Sequence, residues 1–344
     1  MLILKSLKNF LEQASEAKFR YQQLRQAILH EPHLNFRDIT VLPSALREKL
    51  VARFGESILP LQLIRKQEDP QAQKLLFQLK DGKKIESVYM QFQEGLRSLC
   101  ISTQVGCPCQ CAFCATGGIG FQRHLDVDEI ISQILYVQKI SAGIDRVTVM
   151  GMGEALLNPN IFDALKFIID SQGLNFSPHR ISVSTVGIIP GIKKITEELP
   201  QITLTFSLHF PEQKLREQWI PTAKHYHLDD IFKALDERAA KTNHKIYLAY
   251  MIIDGVNNRP QDLDALEQIF KARGQFRHLY HINLIPFHAI PGSDRAETLR
   301  PIALRFQKQL EQRNIAATVR QSFGKSIKAA CGQLAAEYQP RKCQ

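Results

Sequence analysis

The 344-residue chain has no apolar stretch of transmembrane length, and its opening run, Met1-Leu-Ile-Leu-Lys5, is too short for a secretory leader. A membrane protein is therefore not expected. The cytoplasm is expected, where thiols stay reduced and can bind iron. No low-complexity segment and no close internal repeat occurs, so the chain does not read as a biased tail or a repeat array. Hydrophobic residues make up 44% and charged residues 23%, the profile of an ordinary soluble enzyme large enough for one main domain and a small one.

Against these absences, cysteine is concentrated. Four of the seven cysteines fall within Cys107-Pro-Cys-Gln-Cys-Ala-Phe-Cys114. Leaving out Cys109 gives Cys107, Cys111 and Cys114 the spacing C-x3-C-x2-C. Three thiolates can hold three irons of a four-iron cluster and leave the fourth open to another ligand. Alternatively, Cys109 adds a fourth thiolate and closes a tetrahedral zinc site. Zinc sites, however, usually pair two separated C-x2-C knuckles, and a second knuckle is missing. A disulfide between cysteines this close meets the bond's geometric requirements poorly.

The net charge is +10, and it is uneven. Residues 1–66 carry eleven Lys and Arg against six Asp and Glu, and residues 313–344 carry six against Glu337 alone. A basic head and tail around a neutral middle point to a polyanion such as RNA, though a basic pI also serves solubility. The head reads as largely helical. Leu7, Phe10, Leu11, Ala14, Ala17 and Tyr21 recur at helical spacing, and a shorter helix after Pro43 is expected with Ser44 as its cap. From about residue 60 to 95 the pattern turns to strands, with a hairpin turn at Asp81-Gly82.

From residue 97 strands and helices alternate. Strands are expected at Ser98–Thr103, Arg146–Met150, Arg180–Ser184, Ile202–Leu208, Lys245–Ile252 and Tyr280–Ile285. Helices are expected at Val127–Ile140, Asn160–Ser171, Gly191–Leu199, Leu228–Thr242, Gln261–Arg273 and Ile302–Asn314. Six such units imply an α/β fold with a parallel sheet, and an open or partial barrel fits best because unusual polar residues sit at the strand ends. These are Gly153 and Glu154 after the second strand, Ser184 after the third, Ser207-Leu208-His209 after the fourth, and Asn283 on the sixth. Singly, each is more often a cap or a satisfied core group. Their recurrence at equivalent ends favours a ligand site. Cys100 and Cys331 read, taken alone, as small buried hydrophobes, and Cys343 as an exposed bystander.

Together, Cys100-Ile-Ser-Thr-Gln-Val-Gly-Cys107, the three cluster cysteines, Gly-Met-Gly-Glu154, Ser207-Leu-His209 and Ala-Ala-Cys331-Gly-Gln-Leu resemble the Cfr/RlmN family of radical S-adenosylmethionine (SAM) RNA adenine methyltransferases. The resemblance runs over nearly the whole chain. Ala155, where RlmN enzymes usually have proline, together with Ser184-Thr-Val-Gly and Tyr280-His-Ile-Asn-Leu, looks more like Cfr. Cys109 and Gly118, the latter where Cfr often has an acidic residue, depart from the pattern.

The resemblance implies a partial (β/α)6 radical SAM barrel at 97–300. Around it would lie a helical RNA-binding accessory domain at 1–66, a β-rich connection at 67–96, and a C-terminal helix, strand and catalytic-cysteine segment at 301–344. It implies that Cys107, Cys111 and Cys114 ligate a [4Fe-4S] cluster. Gly153, Glu154, Ser184, Ser207, Leu208, His209 and Asn283 would bind SAM, two molecules per turnover. Cys331 would take a methyl group from the first SAM, and a 5′-deoxyadenosyl radical from the second would abstract hydrogen from it. The methylene radical would add to the adenine, Cys100 would help release the product and leave a disulfide with Cys331, and Glu86 would accept a proton. Carbons 2 and 8 of adenine are electron-poor, which is why radical chemistry is needed. The expected substrate is 23S rRNA, methylated at carbon 8 with resulting antibiotic resistance. An RlmN-type carbon-2 activity that also takes tRNA, and a non-enzymatic zinc RNA-binding protein, are the alternatives. An electron donor such as flavodoxin and a monomeric state are also expected.

Overall fold

The computed structural model describes residues 2–31, 33–290, 295–321, 323–324 and 326–334. Cys343 lies outside them. The head holds α1 (Leu2–Gln13), α2 (Phe19–His30) and α3 (Ser44–Phe54). Three antiparallel strands follow, β1 (Leu61–Asp69), β2 (Ala72–Leu79) and β3 (Lys84–Gln91), with Gly82 at φ 79° in the expected hairpin turn. Next come β4 (Arg97–Cys100), β5 (Gln104–Val105), α4 (Ala115–Ile119), β6 (Arg123–His124) and α5 (Val127–Ile140). The alternation continues through β7 (Arg146–Val149), α6 (Ile161–Ile169), β8 (Ile181–Thr185), α7 (Ile189–Glu198), β9 (Thr203–Ser207) and α8 (Gln213–Trp219). It ends with α9 (Leu228–Thr242), β10 (Ile246–Ile252), α10 (Pro260–Ala272), β11 (Tyr280–Pro286), α11 (Arg300–Gln312) and β12 (Ala317–Val319).

One sheet runs in the order β1-β2-β3-β4-β7-β8-β9-β10-β11-β12. From β4 onward every neighbouring pair is parallel. Six strand–helix units are thus present, as expected, and β12 adds a seventh parallel strand. The sheet does not close among the described residues, so the barrel is partial, with the antiparallel β1–β3 as a wing on one edge. The strands alternate: Ile181, Val183, Leu204, Phe206, Leu248, Ile282 and Leu284, on one face, are all at 0% exposure, while Ser182, Ser184, His281 and Asn283 between them are half-buried. Each such side chain contributes roughly 1.5–3 kcal/mol by leaving water.

Two expectations for the head need correction. The apolar periodicity through Tyr21 is two helices rather than one, because the chain reverses at Ser15, φ 55°. Ser44 does not cap α3. Pro43 occupies the N-cap and no side chain caps the helix. The head is docked onto α5 at both ends. Asp128 accepts a 2.7 Å hydrogen bond from the Ile3 amide, at the N-terminus of α1. Lys139 donates to the carbonyls of Ala27, Ile28 and Glu31, at 3.5, 2.9 and 2.5 Å, at the C-terminus of α2. Each charge has the sign that the helix end favours. Among the described residues, no helix is long and apolar enough to cross a membrane.

Candidate active site

The loop between β5 and α4 carries Cys107, Cys109, Cys111 and Cys114. Gly106 opens it at φ 74°, where a Cβ would stand 1.6 Å from the Gly120 carbonyl oxygen, so no side chain fits. The Cys107 amide donates to Gly120, that of Cys114 to Cys111, and that of Ala112 to Trp219 of α8, at 3.3, 3.1 and 2.9 Å. Cys111 and Cys114 pack against an apolar layer that includes Phe113, Phe210, Ile220, Met251 and Phe287. Burial pushes both of their thiols up, and Cys114 and Cys109 add to the effect at Cys111. The Cys107 thiol is also raised, first by its hydrogen bond with Cys109 and then by burial.

The thiols share one loop, and Cys114 and Cys109 lie close enough to Cys111 to raise its thiol. Thiols so grouped at a C-x3-C-x2-C spacing fit a [4Fe-4S] group, in which each thiolate takes a different iron, and their raised affinity for protons is what a bound cationic centre would oppose.

Glu154 follows β7 and is buried at 5% exposure. Its oxygens accept from the amides of Leu156 at 3.2 Å and Val186 at 2.9 Å. Burial raises it to about 7, against hydrogen bonds from Thr185, Val186 and Leu156 that lower it. Gly153 beside it has φ 102°, and a Cβ there would come within 2.6 Å of Gln104. Ser184 and Ser207 face each other across β8 and β9 with hydroxyls 3.1 Å apart. Nδ1 of His209 accepts from the Met251 amide at 3.0 Å, so the neutral ring carries its hydrogen on Nε2. The ring stays neutral because burial, and secondarily Arg216, lower it to about 3. Leu208 is fully buried in the core. These residues thus gather at the strand ends, and Asn283 projects from β11 into a neighbouring cavity.

That cavity, about 540 Å³, is lined by Cys100, Cys114 and Cys331 together. Its volume suits a ligand of nucleotide size. Cys100 ends β4, opposite Val88 and Thr148. Burial, reinforced by Cys331, pushes its thiol up to about 12. Cys331 is exposed, on a segment held from two sides. On one, the Ala115 amide donates to Gly332 at 2.8 Å and the Thr116 hydroxyl to Leu334 at 2.6 Å, which ties the segment to the cluster loop. On the other, Lys74 donates to the Lys328 carbonyl at 3.3 Å, and Phe323 packs edge-on to Phe92 with ring centres 4.6 Å apart. Glu86 does not line the cavity itself. It lies on β3 two residues before Val88, which does, and its carboxylate is 3.4 Å from Lys74 Nζ.

Three residues of this centre were not expected from sequence. Gln104 is fully buried, accepts from the Glu154 amide at 2.8 Å and so fixes the glycine loop. Lys74 joins Glu86 to the Cys331 segment. Arg216, from α8, is fully buried and donates to the carbonyls of Ser207 at 2.9 Å, Val186 at 2.7 Å and Leu208, which braces the ends of β8 and β9. No signal near Arg216 in the sequence marks it, because the short helix Gln213–Trp219 buries Arg216 alone.

A partial barrel of six strand–helix units, with three thiols on the loop after its first strand and polar groups at the later strand ends, defines a radical SAM enzyme. Residues 101–266 match the family model of the Radical SAM superfamily. The chain is 42% identical over 319 residues to the ribosomal RNA large subunit methyltransferase Cfr of Clostridium botulinum, covering 93% of each chain. It is 40% identical over 335 residues to the protein of that name from Staphylococcus aureus, covering 97% of this chain and 96% of the relative. The crystal structure of a radical SAM methyltransferase from Sphaerobacter thermophilus superposes with a TM-score of 0.89 at 32% identity, over 97% of this chain and 98% of that one. The chain belongs to the Cfr/RlmN family of radical SAM methyltransferases. Its cofactors are those of the family, a [4Fe-4S] cluster and SAM.

Proposed function

We propose that this enzyme methylates carbon 8 of an adenine in the peptidyl transferase centre of 23S rRNA, and thereby confers resistance to antibiotics that bind there. Relatives named as ribosomal RNA large subunit methyltransferases Cfr support the substrate. One structural observation carries the chemistry: Cys100, Cys331 and Cys114 of the cluster loop line the same cavity. When bound, the cluster and SAM supply the methyl group and the one-electron chemistry that an electron-poor ring carbon requires.

The chain's own residues bind, orient and move protons. Cys107, Cys111 and Cys114 hold the cluster. The Glu154 carboxylate receives the SAM ammonium, and the Nε2–H of His209 serves as a fixed donor. Ser184, Ser207 and Asn283 supply further polar contacts, while Gly153 and Leu208 shape the wall. Cys331 accepts the methyl group on its sulfur. The Cys100 thiolate attacks the Cys331 sulfur, so the sulfur–carbon bond to the product breaks as the disulfide forms, and that electron pair takes up a proton to complete the product's methyl group. Glu86, paired with Lys74 outside the cavity lining, is assigned as the acceptor of the target carbon's proton on its place two residues from Val88. The apolar lining, including Val88, Met90 and Phe323, keeps water from the reacting atoms.

The basic head, residues 1–66, serves as the RNA-binding accessory domain. The wing at 67–96, the core at 97–300 and the catalytic-cysteine segment at 301–344 complete the division. The setting is the cytoplasm, with a monomeric enzyme and a donor such as flavodoxin. Ala155, in place of the proline usual in RlmN, supports carbon 8 over carbon 2. Nucleoside mass spectrometry tests this, on 23S rRNA from cells that lack their own carbon-2 enzyme and express this chain. The expected product is 8-methyladenosine. Finding 2-methyladenosine alone, in rRNA or tRNA, would overturn the carbon assignment. Finding neither, with the cluster intact, would overturn the substrate.

A further inference from the structure

Among the described residues, the lining of the cavity that holds Cys100 and Cys331 includes no acidic residue, yet two arginines, Arg146 and Arg320, belong to it. Several arginines elsewhere are matched. Arg97 meets Asp145, Arg123 meets Glu129, Arg273 meets Asp236, and Arg238 spends its donors on the carbonyls of Pro200 and Ile202. Among the described residues, neither Arg146 nor Arg320 forms a salt bridge. The side-chain contact of Arg320 is a 4.0 Å approach to Met150 Sδ, and sulfur is a weak acceptor.

Their placement is fixed by the sheet. Arg146 begins β7 opposite Ser98, and Arg146, Thr148 and Met150 alternate so that all three face the cavity. Thr148 is the residue opposite Cys100, so Arg146 stands two positions from the cysteine along the same face. Arg320 follows β12, with its amide held by the Leu284 carbonyl at 2.8 Å. It is close enough to draw the Cys100 thiol down against the effect of burial. Arg146 is exposed at the rim and Arg320 is half-buried within. Two guanidinium groups in one cavity, with no carboxylate among its described lining residues, favour an anion. Their planar forks suit phosphate oxygens.

We propose that Arg146 and Arg320 form a phosphodiester seat, which holds the backbone of the RNA strand while its target base enters between the apolar wall and the two cysteines. This inference rests on the RNA-substrate reading above, and it adds the residues that hold the strand in register. Positioning by phosphate contact carries no sequence information, so the seat sets affinity and placement rather than base identity. The other anion that could reach these arginines is the carboxylate of SAM, and the test separates the two.

The holoenzyme and its Arg146→Gln, Arg320→Gln and doubly substituted forms are titrated against a fluorescent single-stranded 23S rRNA fragment over a series of salt concentrations. Each single substitution is expected to weaken binding by roughly tenfold and to flatten the log–log salt dependence by about 0.7, the share of one phosphate on a single strand. Arginine-to-lysine forms should recover the slope, because charge is restored. SAM affinity, and methyl transfer to Cys331 without RNA, should stay at wild-type level. Unchanged RNA affinity and slope in the double variant would overturn the seat while leaving the substrate reading intact. Lost SAM affinity with unchanged RNA binding would reassign the arginines to the SAM carboxylate. If the wild-type enzyme binds no RNA, the substrate reading falls, and the seat with it.

Discussion

Replacing Lys74 with methionine removes the cation between Glu86 and the Cys331 segment while nearly preserving side-chain volume. Lys74 sits opposite Val88 in the β2–β3 register, and Glu86 is diagonal to it on the same face. The pair is 3.4 Å apart, with side-chain exposures of 11% and 6%. An exposed pair contributes about 0–1 kcal/mol, whereas breaking a buried pair costs up to roughly 3–5 kcal/mol. The same ammonium also donates to the Lys328 carbonyl at 3.3 Å, so the segment loses one of its ties to the wing. Lys74→Met should therefore lower the unfolding free energy by about 3 kcal/mol in urea titrations. It should also make Cys331 react faster with a maleimide, by about tenfold for each 1.4 kcal/mol of lost docking. Lys66→Met, which breaks the exposed Lys66–Glu68 pair, is the control and should leave both readings near wild type. A Lys74→Met protein with wild-type stability and wild-type Cys331 labelling would refute this account of how the segment is held.

Other outcomes follow from the same geometry. Burial raises Glu154 from 4.5 to about 7, so the folded protein binds this proton more tightly than the unfolded chain between those values. The carboxyl's contribution to stability thus falls as pH rises from about 4.5 to 7, whereas calorimetric SAM affinity should rise through about pH 7 as the carboxylate forms. Gly153→Ala meets both a φ of 102° and Gln104 atoms 2.6 Å away, and should cost about 1–3 kcal/mol in thermal unfolding and weaken SAM binding. Cys100→Ala should leave protein covalently attached to RNA, visible on a denaturing gel. Normal turnover without such an adduct would remove Cys100 from product release.

The core was legible because its signals are local. The strands bury an apolar residue at every second position, the helices between them show one apolar face, and both patterns survive in a single sequence. The helices Val127–Ile140 and Leu228–Thr242 were placed to the residue for that reason. The cysteine spacing and strand-end polar residues are local signals too. What escaped is what depends on distant parts of the chain. Periodicity continued through Ala14, Ala17 and Tyr21 and hid the reversal at Ser15, because both sides of the turn bury apolar residues. Arg216 is buried against carbonyls of other strands, and nothing near it in sequence reports them. Lys74 and Glu86 meet only across a strand pair, and Lys74 reaches a carbonyl 254 residues away. Asp128 and Lys139 look like ordinary helix charges until α1 and α2 are seen against α5.

The central claim is that Cys331 carries the methyl group into the cavity it shares with Cys100. Peptide mass spectrometry on the holoenzyme, incubated with methyl-deuterated SAM in the absence of RNA, tests it most directly. The account predicts one labelled methyl on the peptide containing Cys331, retained in Cys100→Ala and absent in Cys331→Ala. A methyl on Cys100, or an unlabelled Cys331 in an enzyme that still methylates RNA, would contradict it.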